Sequence, residues 1–284
     1  MRTWELLKSN WNWEPWVIVW CVALIVSYIT VTRFRFTKTT LSFMAGVLLL
    51  LLTLVSPIGM LSHNYLFSAH MLQHILLLLI VPLLLLSGIP NLLARRIIRG
   101  SRLANLIQVL RQPLIAWLCG VGAMWVWHIP SLYNAALGSE GLHIAQELSL
   151  LAMGTIFWLP VFAPLEEWRL APPFATLYLF SSCIACTILG IIITFSAVGH
   201  YPAYLNPVDS LGILPFIRNE LYLTPELDQQ IGGLIMWVPC CLIYLLASMV
   251  TIARWYKTPE VDVNVKPSEP LSSVNSIKAS TTME

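Results

Sequence analysis

The sequence predicts an all-α, polytopic membrane protein built as a bundle of seven transmembrane helices. Of its 284 residues, 57% are hydrophobic and only 11% are charged, whereas soluble domains carry about 25% charged residues. The apolar residues fall into seven runs that are long enough to cross a bilayer, which takes roughly 17 to 25 residues. The predicted spans are 15–31, 41–60, 66–87, 112–128, 142–162, 173–198 and 230–254.

The basic residues predict the orientation of this bundle. The connections after the first, third and fifth spans, together with the carboxyl-terminal tail, hold thirteen of the sixteen Lys and Arg residues. By the positive-inside rule, the amino terminus lies outside the cytoplasm and the carboxyl terminus inside it. Residues 1–257 form the predicted membrane domain, and the polar segment 258–284 is predicted to be a disordered cytoplasmic tail. A net charge of +2 without a basic stripe favours lipid and not nucleic acid as a partner.

The first two spans carry few chemical groups. Tryptophans precede the first span, as is typical of a membrane interface, and we expect that span to be retained as an anchor because it does not resemble a signal peptide. The second span ends near Ser56 and Pro57, and the short loop after it contains His63, which we expect to be solvated. The six cysteines all fall inside predicted spans, so structural disulfides are not expected.

The third span holds the most informative pattern in the chain. His70 and His74 lie one helical turn apart on the same face, with Gln73 beside them, in an otherwise aliphatic helix. Polar groups in a membrane span are costly and usually face a site in the bundle interior. The alternative for such histidines is an interfacial anchor or an interhelical hydrogen bond. Pro82 is expected to bend the helix, and the Arg-rich segment 95–111 is either a surface helix or a solvated loop.

The later spans add further candidate ligands at the same predicted end of the bundle. His128 closes the fourth span, and His143 and Glu147 repeat the one-turn spacing at the start of the fifth. An interhelical hydrogen bond is the alternative role for Glu147, and a favourable charge at a helix amino terminus is the alternative for Asp228. All six histidines fall in outer loops or in the outer halves of spans; they are His63, His70, His74, His128, His143 and His200.

These residue types together suit a transition metal such as copper. The candidate metal ligands are His70, His74, His128, His143 and Glu147. Imidazole and carboxylate groups bind such metals, and thioethers such as those of Met71 and Met124 are soft ligands for Cu(I). Haem bound by paired histidines is an alternative cofactor, although no Cys-x-x-Cys-His motif is present. Further candidates are Met71, Asp228, Cys183 and Cys186.

A second group of candidate ligands contains only sulfur. Cys183 and Cys186 on the sixth span are expected at the same depth as Cys240 and Cys241 on the seventh. Thiolates there could hold Cu(I), but a buried cysteine is more often a small apolar residue. The chain has no catalytic triad spacing, phosphate loop or dinucleotide fingerprint, so an enzyme is not favoured.

Four ordered motifs give the chain a family resemblance. The motifs are 70–74 (His-Met-Leu-Gln-His), 127–137 (Trp-His-Ile-Pro-Ser and onward), 142–143 (Leu-His) with 157–160 (Phe-Trp-Leu-Pro), and 228–239 (Asp-Gln-Gln-Ile-Gly-Gly and onward). Through them the chain resembles, over roughly residues 40 to 256, the CtaG-like family of seven-span factors, which assemble caa-type cytochrome c oxidase in the bacterial cytoplasmic membrane. The family pattern has Glu-His where this chain has Gln146-Glu147.

The resemblance implies a function in oxidase maturation, with cytochrome c oxidase subunits as partners. With the histidine pattern, it predicts a multi-pass protein that handles copper at an outward-facing His and Glu site and is not an enzyme. Two alternatives from other classes remain at this point. One is a haem-binding membrane electron carrier, and the other is a transporter that relays ions or protons through the histidines.

The charge asymmetry makes the orientation testable by labelling. Single cysteines at Ser62 and Ser139, in a cysteine-free variant, should react with a membrane-impermeant thiol reagent in intact cells, because both positions are predicted to face outward. A cysteine at Ser101 should stay unlabelled until the cells are lysed. Labelling at Ser101 alone in intact cells would contradict the orientation.

Overall fold

The computed structural model describes residues 11, 13–33, 37–99 and 102–257 of the chain. The all-α prediction is confirmed, because the regular structure in these ranges is helical and contains no strand. The predicted tail 258–284 lies outside the described residues, as does Ser101. The longer helices, numbered in chain order, are α1 Pro15–Thr32, α2 Lys38–Val55, α3 Pro57–Asn64, α4 Phe67–Ser87, α5 Asn91–Ile98, α6 Arg102–Leu110, α7 Pro113–Trp127, α8 Pro130–Leu137, α9 Glu140–Phe162, α10 Pro172–Phe195 and α11 Pro225–Lys257.

Among the described residues, six helices are long and apolar enough to cross a membrane, and seven if one bent pair is counted as a span. The six are α1, α2, α4, α9, α10 and α11. The predicted fourth span, 112–128, corresponds to α7, which has only 15 residues. At about 1.5 Å per residue it is roughly 22 Å long, less than the hydrocarbon core of about 30 Å. The Arg-rich segment before it is helical, and its second helix meets α7 at a 72° bend.

The predicted end of the second span, at residue 60, is wrong. Helix α2 ends at Val55, and Ser56 adopts an extended conformation and caps the new helix α3 by accepting a hydrogen bond from the Ile58 amide. Pro57 causes the break, because it lacks an N–H and forces the preceding residue out of the helical region. Ser62 on α3 is fully buried, so the exposed Asn64 is the better labelling position.

Helix α4 is the central element of the bundle. Over its most apolar window 61% of the residues are buried, more than in any other candidate span of the described chain. It packs against α2, α3, α9 and α11, while α10 packs closely along α11 and α7 along α9. The histidines of the third span are therefore carried by the helix that contacts most of the others.

Helix α4 contains a π-helical turn, Leu76–Ile80, immediately before Pro82. Because Pro82 has no N–H, the carbonyl four residues earlier, at Leu78, loses its usual helical partner. Helix α9 packs against this opened face: the Trp158 indole N–H donates to the Leu79 carbonyl at 2.8 Å, and Gly154 lies against Leu78. The expected bend at Pro82 thus takes the form of a π turn that receives a neighbouring helix.

A pair of glycine substitutions tests this contact. A Cβ atom at Gly154 would lie 2.1 Å from the Leu78 carbonyl oxygen, whereas one at Gly122 on α7 would meet nothing within 4 Å. Gly154→Ala should lower the free energy of unfolding by about 1–3 kcal/mol, the typical cost of overpacking. Gly122→Ala should be neutral or stabilising by up to about 1 kcal/mol, because alanine favours a helix. Thermal unfolding in detergent measures both; equal Tm values would show that α9 does not approach α4 this closely.

Candidate functional site

The start of helix α4 is held by a buried carboxylate from α11. Asp228 is 1% exposed and accepts hydrogen bonds from the amides of Phe67 (2.7 Å) and Ser68 (3.1 Å) and from the Ser68 hydroxyl (2.5 Å). The first amides of a helix have no partner within the helix, and a negative charge there is favourable. Asp228 therefore positions the turn that precedes His70. Its carboxylate contacts the backbone of α4 and does not contact the imidazoles through any hydrogen bond of the described chain.

His70 and His74 face each other through their ring nitrogens. Their Nε2 atoms are 2.8 Å apart, and both rings are almost completely buried. His70 Nδ1 lies 3.2 Å from the Ser62 carbonyl oxygen, which can only accept, so Nδ1 carries the hydrogen in the neutral ring and Nε2 presents a lone pair. A hydrogen bond from the far ring nitrogen to a backbone carbonyl is the usual support for a metal-binding histidine.

Two tyrosines, Tyr204 from the loop between α10 and α11 and Tyr133 from α8, complete the surroundings of His70. The Tyr204 hydroxyl donates to the Ser62 carbonyl at 2.6 Å and lies 3.1 Å from His70 Nδ1. Tyr133 donates to Tyr204 at 3.2 Å. Burial raises the pKa of Tyr204 far above its usual value, so Tyr204 remains a neutral phenol. These hydroxyls fix the orientation of the His70 ring.

His128 is paired with a sulfur atom. Its Nδ1 lies 2.5 Å from the Met124 carbonyl oxygen, and its Nε2 lies 3.2 Å from the Met71 Sδ. Because the carbonyl requires a hydrogen on Nδ1, the Nε2 of the neutral ring has a lone pair directed at a thioether that also has no hydrogen to give. Two such acceptors in contact suit a shared soft cation.

A polar chain connects this group to Glu147. The Ser62 hydroxyl donates to the side-chain oxygen Oε1 of Gln73 at 2.6 Å, and the side-chain nitrogen Nε2 of Gln73 donates to Glu147 Oε1 at 2.9 Å. His143 Nε2 lies 3.4 Å from the same carboxylate oxygen. The His143 ring is 5.7 Å from the His70 ring, centroid to centroid. Both one-turn pairs predicted from the sequence therefore belong to one site.

His63 also belongs to this site, and the expectation that it is solvated is wrong. Its ring is half-buried and packs against His143 with centroids 4.7 Å apart, because the break at Pro57 folds α3 back over the bundle. Burial, and after it the nearby His143 ring, lowers the pKa of His63. Its imidazole is therefore neutral near pH 7, as metal binding requires. We call His63, His70, His74, His128 and His143 the histidine cluster.

Several buried polar atoms of the site have no hydrogen-bond partner within the described chain. They include the Nδ1 atoms of His63, His74 and His143 and both side-chain amide atoms of Gln146, which lies beside His74 and is close enough to interact with it. Buried polar atoms are rarely left unpaired, and each unmade hydrogen bond costs about 1–3 kcal/mol. Such a concentration of unpaired atoms beside five imidazoles is typical of a surface that receives a polar ligand, a metal or water.

A cavity of about 320 Å³ leads to the histidine cluster, with His63, Gln73, Glu140, His143 and Glu147 in its wall. On its other side Glu147 borders a larger and mostly apolar cavity of about 450 Å³ between α1, α2 and α9. The carboxylate thus lies where a polar cavity meets an apolar one. The polar cavity gives small ligands a path to the imidazoles.

Two predicted candidates, Cys183 and Cys186, lie away from the histidine cluster, as does His200, which is not one of the candidate ligands. His200 is exposed in the loop after α10. Cys183 and Cys186 lie on α10, where Cys186 contacts Met124 and Tyr244. Sequence reasoning did not identify Ser62, Tyr133 or Tyr204 as site residues. The described residues contain no group of three His, Cys, Asp or Glu side chains already arranged around a metal position; the imidazoles face one another, or a thioether, in pairs.

The fold and the site define a polytopic helical membrane protein with a buried histidine cluster. A comparison with protein families identifies the family itself: the sequence profile of the cytochrome c oxidase caa3 assembly factors (Caa3_CtaG) matches residues 26–258. The chain belongs to this family, which confirms the resemblance found in the sequence. Searches of curated proteins and of solved structures gave no match.

The role of Asp228 can be tested apart from metal binding. Asp228→Asn keeps the shape but replaces one acceptor oxygen by a donor that faces the amides of Phe67 and Ser68. The loss of a charged acceptor should lower the free energy of unfolding by about 1–3 kcal/mol. Glu226→Gln, at an exposed acid on the same first turn of α11, is the control and should lower Tm much less than Asp228→Asn does, because an exposed charge at a helix start contributes little to stability. Equal Tm values for both variants in detergent would refute the anchoring role.

Proposed function

We propose that this protein handles copper during maturation of cytochrome c oxidase, with the histidine cluster and Glu147 as its metal site. The family match supports the assembly role. In this proposal the protein lies in the bacterial cytoplasmic membrane, its site faces outward, oxidase subunits are its partners, and copper is cargo passed on and not a resident cofactor. The protein acts by binding and transfer, without catalysing a reaction.

The contact between His70 and His74 is the observation that carries this proposal. His70 Nε2 presents its lone pair to His74 Nε2, and His74 Nδ1 lies beside the Gln146 side chain. A metal between the two Nε2 atoms would give both lone pairs an acceptor and would leave the hydrogen of His74 on Nδ1, where the Gln146 side-chain oxygen can accept it. With metal–nitrogen bonds of roughly 2.0 Å the two atoms would be about 4 Å apart, so loading would open the pair by about 1 Å.

The remaining donors suit transfer of Cu(I). The Met71 and His128 pair, a thioether with an imidazole, lies beside His74, whose ring centroid is 5.2 Å from that of His128. Cu(I) binds soft thioether and imidazole groups well. An ion held by facing pairs can move from one pair to the next without leaving the site. Glu147 and His143 line the cavity and would receive the ion first.

The geometry favours neither alternative function. A haem with two axial histidines needs them on opposite faces of a flat ring, but His70 and His74 lie one turn apart on one helix with nitrogens in contact. A transporter needs a polar path to the other side of the membrane, whereas beyond Glu147 the adjoining cavity is walled mainly by Leu, Trp and other apolar side chains. Copper handling therefore remains the proposed function.

Removal of the two imidazoles tests the proposal. His70→Ala and His74→Ala should each abolish the copper bound by the purified protein at this site and should abolish oxidase maturation in cells, because each removes half of the facing pair. His200→Ala is the matched control, since its ring is exposed outside the cluster. Copper is measured by elemental analysis and maturation by oxidase activity in membranes.

Insertion into the membrane should be unaffected, because loss of a polar group from a span does not disfavour insertion. Immunoblots of the membrane fraction provide that check. If the His70 and His74 double variant kept full copper content and full oxidase activity, the pair would be structural and the proposal would be refuted.

A further inference from the structure

The cysteines of α10 and α11 lie in two neighbouring pairs. Cys186 interacts with Cys240, and both are almost completely buried. Cys241 turns the other way, with its Sγ 3.3 Å from the Thr187 hydroxyl and 3.9 Å from the Cys183 carbonyl oxygen. Cys183 and Cys241 are partly exposed. The contacts place Cys186 beside Cys240 and Cys241 beside Cys183.

A third sulfur atom meets the buried pair. The Cys186 Sγ lies 3.5 Å from the Met124 Sδ, and Met124 is 2% exposed. The Tyr244 hydroxyl lies 3.5 Å from the same Sγ. Three helices, α7, α10 and α11, therefore bring two thiols and a thioether to one point within the bundle.

We propose that Met124, Cys186 and Cys240 form a second, all-sulfur Cu(I) site, which we call the sulfur site. Thiolate and thioether ligands select Cu(I) over harder ions. A metal–sulfur bond is roughly 2.3 Å, by analogy with zinc, so two sulfurs that share one ion lie at most about 4.6 Å apart. The observed separation of 3.5 Å between Sγ and Sδ satisfies this limit.

The charge balance of the sulfur site suits an apolar interior. Binding of Cu(I) forms a bond to the Cys186 sulfur and releases its thiol proton to water, without any change of oxidation state. One thiolate and one Cu(I) are together neutral, and Met124 and the thiol of Cys240 complete the ligands without added charge. A neutral complex avoids the cost of an unpaired ion in a membrane span.

The sulfur site adjoins the histidine cluster through Met124. The backbone carbonyl of Met124 accepts from His128, whose other nitrogen contacts Met71. The side chain of the same residue reaches Cys186. Copper leaving the Met71 and His128 pair would therefore find the next sulfur ligand on the same helical turn. The sulfur site nevertheless stands on its own contacts and does not require the proposed function to be correct.

Two double variants on the same helices test the sulfur site. Purified full-length protein in detergent is titrated with Cu(I) without oxygen, against a chromogenic Cu(I) chelator. Cys186→Ser with Cys240→Ser should remove one equivalent of tightly bound Cu(I), together with the sulfur scattering in X-ray absorption spectra. Cys183→Ser with Cys241→Ser carries the same chemical change in the other pair and should bind as the unmodified protein does.

A third variant separates ligand loss from misfolding. Met124→Leu keeps the apolar volume and should weaken Cu(I) binding at the sulfur site at least tenfold while leaving the elution profile and Tm unchanged. Retention of all sulfur-bound copper in the Cys186 and Cys240 variant, or its loss in the Cys183 and Cys241 variant, would refute the sulfur site. If His70→Ala loses only nitrogen-bound copper, the sulfur site binds Cu(I) independently of the histidine cluster, and the two proposals are tested separately.

Discussion

The carboxylate of Asp228 at the start of α4 is the interaction on which the site depends. A helix that begins inside a bundle has amides that water cannot reach, and each needs an acceptor. Asp228 supplies it to Phe67 and Ser68, which lie three and two residues before His70. On the same face of α11, Gly232 is so close to Phe67 that a Cβ atom would lie 2.4 Å from its ring. A charged contact and a steric contact together fix how α4 is rotated.

A second contact, at the middle of α4, also fixes the rotation of this helix. The π turn before Pro82 exposes backbone carbonyls to α9, where Trp158 donates to one of them. With α11 holding its start and α9 its middle, α4 can neither slide nor turn, and the segment between them carries His70 and His74. The two histidines therefore meet His128 at the end of α7, His143 on α9 and Tyr204 in the loop between α10 and α11 in one arrangement. A binding site gains precision when its ligands are carried by such a rigid element.

The sequence was sufficient to predict those parts of the site that depend only on the helical repeat. The one-turn spacing of His70 and His74 and of His143 and Glu147 predicted shared faces, and the common end of the spans predicted that they would meet. His63 and Tyr204 could not be predicted in this way. A proline break determines the position of His63 and an irregular loop that of Tyr204, and neither feature repeats regularly along the sequence. The pairing of Cys186 with Cys240 depends on how α10 and α11 are rotated about their axes. Both helices are hydrophobic on all sides, so their sequences do not show which face of one packs against the other.

The donors of the two proposed sites change in character from the cavity inward. Oxygen and nitrogen of Glu147 and His143 line the cavity, imidazoles follow at His70 and His74, an imidazole and a thioether at His128 and Met71, and sulfur alone at Cys186. Soft ligands bind Cu(I) better than hard ones do, so under both proposals the affinity rises along this order and Cu(I) moves inward without an energy source. Its release then needs a partner that offers equally soft ligands. A copper-receiving protein whose site contains thiolates would satisfy that condition, whereas water or a carboxylate would not.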